Sequence, residues 1–133
     1  MREIIKNNIV LARHITAEDM KPGLNFYSED KDYVQVGIWG HYEQGKELSA
    51  HIHNKVERVS DRTYEVLYII KGALSADIYD MDENKIETLA VRQGEILVLL
   101  NSGHGYTILE EDTTVLEVKN GPYPGAEADR RRF

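Results

Sequence analysis

Three histidines and one glutamate have the residue types and spacing to do chemistry. His51 and His53 fall two apart in SAHIHN, His104 lies in NSGHGY, and Glu65 opens the apolar run EVLYIIKG. Residues two apart on a strand share one face. Both imidazoles would then point to one side, with Ile52 turned away. A third imidazole and a carboxylate from neighbouring strands would complete a site with positions left open for a substrate. Such donors suit a divalent transition metal: zinc, iron, manganese, nickel or copper. The plain alternative for Glu65 is an ion pair with Arg58 or Arg62. Glu57, four residues after His53, competes with it as the acidic ligand.

Other residues could work beside that site. Tyr68 and Tyr106 occupy strand-like runs and are the candidate catalytic acids, while Tyr79 could line the same cavity. Arg58, Arg62 and Lys119 are candidate substrate-binding cations, suited to gripping an anionic group. Asn54 could hydrogen-bond a ligand or fix a turn. The bland reading of each is a core or rim aromatic, or a solvated polar group. Trp39 reads as core, with stacking on a sugar face as the other reading. Ser102 and His104 are two apart in a loop and lack a nucleophile elbow, so serine hydrolysis is set aside. There is no phosphate loop or dinucleotide fingerprint.

The elements that must position these residues are short. Runs rich in isoleucine, valine, tyrosine and threonine favour strands. They are expected at residues 9–15, 33–39, 47–53, 65–71, 73–79, 86–91, 96–100, 105–109 and 113–118. Turn chemistry separates them at Lys71-Gly72, Met81 to Asn84, Gln93-Gly94 and Glu110 to Asp112. Thr16-Ala17-Glu18-Asp19 resembles a helix start that Pro22-Gly23 ends within about one turn. Many short strands with regular turns indicate an all-β antiparallel sandwich or barrel. The polar stretch 54–64 is a loop that could line the mouth of such a barrel. Residues 120–133 form a turn-rich tail in which Tyr123 and Phe133 offer apolar anchors.

Composition narrows the classes. A chain of 133 residues fits one domain, taken as 1–133 with an N-terminal strand segment 1–40 and the tail 120–133. The absence of cysteine removes disulfides, thiolate metal sites and cysteine nucleophiles. It suits a reducing compartment, and a cytoplasmic placement is expected. The N-terminus lacks the apolar core of a secretory leader, and no run approaches the roughly 18 to 20 apolar residues of a membrane span. With 23 acidic against 16 basic residues and a formal charge of −7, a broad nucleic-acid surface is not expected. Arg130-Arg131-Arg132 is read as a solvated or subunit-contacting tail.

Order and spacing carry a resemblance. Gly45, five residues, His51, one residue, His53, then Glu65, six residues and Gly72 are similar to the first motif of the cupin superfamily, with a longer gap before the glutamate. Gly94 and His104 stand for the second motif. There Leu100 replaces the proline, Ser102 a glycine, and Ile108 the trailing asparagine. HIHNKVER, TYEVLYIIKG, ADIYDMDENK and the run from Gly103 to Phe133 further resemble small single-domain bacterial cupins described as sugar-epimerase-like or mannose-6-phosphate-isomerase-like. The resemblance implies a double-stranded β-helix, or jelly-roll barrel. It implies a divalent transition metal (Zn, Fe, Mn or Ni) on His51, His53, Glu65 and His104, and a homodimer. It also implies isomerase or epimerase chemistry on a sugar or sugar derivative, in cell-surface polysaccharide biosynthesis. An Fe(II)-dependent dioxygenase and a non-catalytic small-molecule-binding cupin are the other expectations.

Overall fold

Asn7 and Asn8 make the first turn. Both take positive φ, 51° and 63°, the paired left-handed geometry that closes a two-residue hairpin and that asparagine tolerates. In the computed structural model, which describes residues 1–133, this turn folds β1 (Arg2–Lys6) onto β2 (Ile9–Ile15), with Lys6 opposite Ile9. One turn of 3-10 helix follows at Ala17–Asp19, where the Thr16 backbone N–H donates to Asp19 Oδ2 at 2.9 Å. A separate hairpin pairs β3 (Gly23–Phe26) with β4 (Gly37–Gly40). Residues 41–64 form neither strand nor helix. The remaining strands are β5 (Glu65–Lys71), β6 (Ala73–Tyr79), β7 (Lys85–Arg92), β8 (Ile96–Leu99), β9 (Gly103–Ile108) and β10 (Thr114–Lys119). A single helical turn, α1 (Ala126–Asp129), lies near the end of the chain.

The fold is all-β, as the sequence reading expected. Its three antiparallel sheets have the orders β1-β2-β8-β5-β10, β7-β6-β9 and β3-β4, and none is closed. Period-two alternation decides what lies between the two larger sheets. On β5, Glu65, Leu67 and Ile69 share one face, and the ladder sets Glu65 opposite Leu99 and Leu67 opposite Leu97. Leu67, Ile69, Leu97 and Leu99 pack with Leu74, Ala76 and Ile78 of β6 and Leu89 and Val91 of β7 in one buried cluster. Ile69 and Ile78 are wholly buried; cutting such a side chain to alanine costs about 2–5 kcal/mol.

The opposite face of the five-stranded sheet is covered only in part. Val98 and Ile15 pack there with Tyr27, Val36 and Leu100. Arg13 is also nearly fully buried on this side, held by Glu3 at 2.8 Å, by Asp32 and by Glu29 at 3.4 Å. Removing one partner of a buried ion pair costs about 3–5 kcal/mol, so this cluster fixes the strand that starts the sheet. Tyr68, Ile70, Leu116 and Val118 remain about half exposed.

Several boundaries differ from the sequence expectation. The strand expected at 47–53 does not form, and Leu48 and Ile52 are exposed. Strand propensity is realised only against a partner strand and a face to bury, and ELSAHIH has neither here. The strand expected at 33–39 contracts to Gly37–Gly40, and Trp39, expected in the core, is exposed. Strands β1 and β3 were not anticipated. By contrast, β2, β5 and β6 fall on the expected residues.

Candidate functional site

The polar end of the core holds the convergent chemistry. Register places it there: in the β5–β10 ladder Lys119 lies opposite Glu65 and Glu117 opposite Leu67, so all three polar groups point inward from the five-stranded sheet. On the facing sheet, His104 lies opposite Ile78 and Tyr106 opposite Ala76. Both partners are wholly buried, which turns His104 and Tyr106 inward as well. Asn120 ties the two strands together at this end of the first ladder: its Oδ1 accepts from the Tyr64 N–H at 2.7 Å and its Nδ2 donates to the Arg62 carbonyl at 3.1 Å.

The contacts follow from that placement. Lys119 Nζ lies 2.8 Å from Glu65 Oε1 and 2.8 Å from Glu117 Oε1. His104 Nε2 lies 3.2 Å from Glu65 Oε2, in ion-pair range but bent away from hydrogen-bond geometry, so Oε2 has no hydrogen-bond partner. Ser102 Oγ and His104 Nδ1 are likewise buried and unpartnered. The His104 and Tyr106 rings stack with centroids 5.2 Å apart. These groups line a cleft of about 760 Å³, whose far wall includes Tyr79 and the stretch from Asp129 to Phe133. Another concavity, of about 480 Å³, is formed by His41 to Lys46 alone and gathers no distant residues.

The electrostatics assign charge states. Burial works to raise the Glu65 pKa, but contact with His104 and then Lys119 outweighs it and holds the carboxyl down at about 2. Hydrogen bonding to Glu117 and then Glu65 raises the Lys119 pKa. Burial, with the charges of Glu65 and Glu117, pushes the Tyr106 hydroxyl up. The site therefore holds a fixed carboxylate, a fixed ammonium and a neutral phenol.

Among the residues singled out from sequence, Glu65, His104, Tyr106, Lys119 and Arg62 line this one cleft. Tyr68 does not. It alternates with Glu65 and Leu67 along β5 and so points to the opposite face of the sheet. His51, His53, Asn54 and Arg58 lie on the exposed segment 41–64. The two imidazoles sit 5.1 Å apart between ring centroids, and His51 Nδ1 faces the Ser49 carbonyl at 3.1 Å. Only two of the four expected metal ligands meet, and an ammonium holds one oxygen of the carboxylate. No group of three or more histidine, aspartate or glutamate side chains is placed to hold a metal ion. The four residues do not fit a transition metal as one centre in this arrangement. Glu117 and the Arg130 to Phe133 stretch line the cleft without having been assigned to it. Glu117 was detectable, since it sits two residues before Lys119 on one strand and therefore shares its face.

Compared with known proteins, the chain matches no family model, no curated protein and no solved structure. No helix is long and apolar enough to cross a membrane.

Proposed function

We propose that the chain is a cupin-type double-stranded β-helix whose cleft moves a proton on a small polar substrate, a sugar or sugar derivative, as an isomerase or epimerase does. Two facing antiparallel sheets with a polar end to their shared core support the fold half of this reading. The observation that carries the chemical half is a set of three buried polar atoms without partners in one place: Glu65 Oε2, Ser102 Oγ and His104 Nδ1. Buried polar groups are ordinarily satisfied, and a substrate's hydroxyl and carbonyl groups would satisfy these once the side chains turn toward the cleft they line.

The roles follow from the charge states. Glu65 stays ionised and Lys119 stays protonated, so neither exchanges a proton readily near neutrality. Imidazole is the commonest general base, and His104 Nδ1 has no hydrogen-bond partner of its own, so the exchange falls to His104. With Nε2–H facing Glu65, Nδ1 keeps a free lone pair. It takes the proton from the carbon beside a substrate carbonyl. The electron pair of that C–H bond passes into the enediolate, and the imidazolium returns the proton on the same face to the neighbouring carbon while the substrate's hydroxyl proton moves to the former carbonyl oxygen. The imidazolium formed in between faces the Glu65 carboxylate, which stabilises it. Tyr106, kept neutral, donates a hydrogen bond to the substrate oxygen that gains charge. Lys119 pins Glu65 in place.

The homodimer belongs to the same proposal. The edge strand β10 and the outward Tyr68, Ile70, Leu116 and Val118 supply an apolar strip that supports it.

The test is proton exchange. Sugars, sugar phosphates and sugar nucleotides are incubated with the protein in deuterated water and followed by NMR. The wild type incorporates deuterium beside the carbonyl of its substrate, and His104→Ala lowers that rate by about 10²–10⁴-fold. Undiminished exchange in His104→Ala overturns the assignment.

A further inference from the structure

The stretch from Asp129 to Phe133 folds over the cleft and is pinned at three points. Thr63 Oγ1 donates to Asp129 Oδ1 at 2.5 Å, and Arg131 pairs with Glu83 at 3.0 Å. The Phe133 ring meets Tyr79 edge-on with centroids 5.1 Å apart. It also presses on Gly103, where an added Cβ would come within 3.2 Å of Phe133 Cζ. Three consecutive arginines thus lie at the mouth of a site, with their side chains open to solvent.

Their pairing is unequal. Each of the other cations lining the cleft is already engaged. Lys119 is shared between Glu65 and Glu117, Arg131 is on Glu83, and Arg62 reaches Asn101 at 3.2 Å and Asp61 at 3.5 Å. The remaining carboxylates are also committed: Asp80 accepts from the Asp82 and Asn84 backbone N–H groups, and Asp129 from Thr63. Arg130 and Arg132 line the cleft and pair with no carboxylate. Two free guanidiniums at one cleft stand out in a chain of net charge −7. Their combined charge matches a phosphate dianion, which carries roughly −1.5 to −2 near neutrality, and the guanidinium fork matches phosphate oxygens in geometry.

We propose that Arg130 and Arg132 form an anion clamp that takes the phosphate of a phosphorylated small molecule and sets its reacting carbon beside His104. The clamp rests on the proton-transfer reading of the same cleft. Arg131 and Phe133 are positioning residues that hold it in place.

The experiment separates the two claims. Inorganic phosphate is titrated into the protein by calorimetry and phosphorus NMR, with acetate and glucose as monoanionic and uncharged comparisons. The wild type binds phosphate in preference to both. The double variant Arg130→Ala/Arg132→Ala loses about tenfold or more in phosphate affinity, as expected for two charge-assisted contacts, and keeps its melting temperature because both side chains are exposed. Arg130→Lys/Arg132→Lys restores part of the loss, and Phe133→Ala weakens phosphate binding with both arginines intact. His104→Ala binds phosphate as the wild type does. Equal phosphate affinity in the wild type and the double alanine variant overturns the clamp. Undiminished proton exchange in His104→Ala overturns the proton-transfer reading and leaves phosphate binding as it was.

Discussion

Glu65 and Lys119 stand directly opposite each other in the β5–β10 ladder, both on its inward face, with Nζ 2.8 Å from Oε1. A cross-strand ion pair on a sheet surface contributes little. This one lies at the end of a hydrophobic core, where Glu65 is 7 % exposed, so its charges are poorly screened and its geometry is held by backbone register.

Acid stability should report that pair. The Glu65 pKa is about 2 in the folded chain against an ordinary value of 4.5. The folded value is the lower one, so the unfolded chain binds the proton first as pH falls. The stabilisation is complete above about pH 4.5 and fades toward pH 2. Urea unfolding across that window should show a steep loss of stability in the wild type and a shallower one in Glu65→Gln. Parallel slopes in the two proteins would remove the pair from any role in acid unfolding.

Gly72 links β5 to β6 at φ +76°, and a Cβ there would lie 2.5 Å from Thr113 Oγ1. That hydroxyl donates to the Ala73 carbonyl at 3.0 Å and accepts from the Ala73 N–H at 3.2 Å, so it cannot withdraw freely. Gly72→Ala should lower stability by about 1–3 kcal/mol, from left-handed backbone strain and the clash together. The measurement is the midpoint of chemical denaturation, and an unchanged midpoint contradicts this account of the turn.

His51 and His53 are exposed, and their polar contacts stay within their own segment. His51→Ala/His53→Ala should therefore change stability by no more than about 0.5 kcal/mol. The same variant gives a second reading in the deuterium-exchange assay. Loss of exchange with unchanged stability means that segment 41–64 reaches the cleft in the working protein. Chelation that abolishes exchange, followed by rescue with added metal, would return both imidazoles to the centre expected from sequence.

Leu116 and Val118 are each about half exposed on the edge strand, beside outward Tyr68 and Ile70. Leu116→Lys/Val118→Lys should convert a dimer to a monomer in light scattering while leaving the strand paired, because neither side chain enters the core cluster between the sheets. A monomeric wild type at micromolar concentration rules out this surface as the dimer contact.

The strands were legible where local pattern and tertiary demand agree. Glu65–Lys71 is rich in β-branched and aromatic residues and ends at Lys71-Gly72, and Ala73–Tyr79 alternates and runs into a turn; both form as read, as does Ile9–Ile15. Glu65 and His104 were legible as chemistry through their spacing and residue types, and Lys119 as a cation just after the last expected strand. Sequence could not decide which of them meet. Parity along β5 puts Glu65 inward and Tyr68 outward, and that follows only once the sheet has chosen the face it buries. ELSAHIH carries strand-forming residues but finds no partner, so the two nearest imidazoles in sequence lie on an exposed segment. Arg130 to Phe133 reads as a turn-rich tail with one apolar anchor, and that anchor's contact with Tyr79 and Gly103 brings it over a cleft built from β5, β6, β9 and β10. Residue type and alternation set the class of fold and the available chemistry. Register and packing, which depend on contacts between distant parts of the chain, selected the groups that share one cleft.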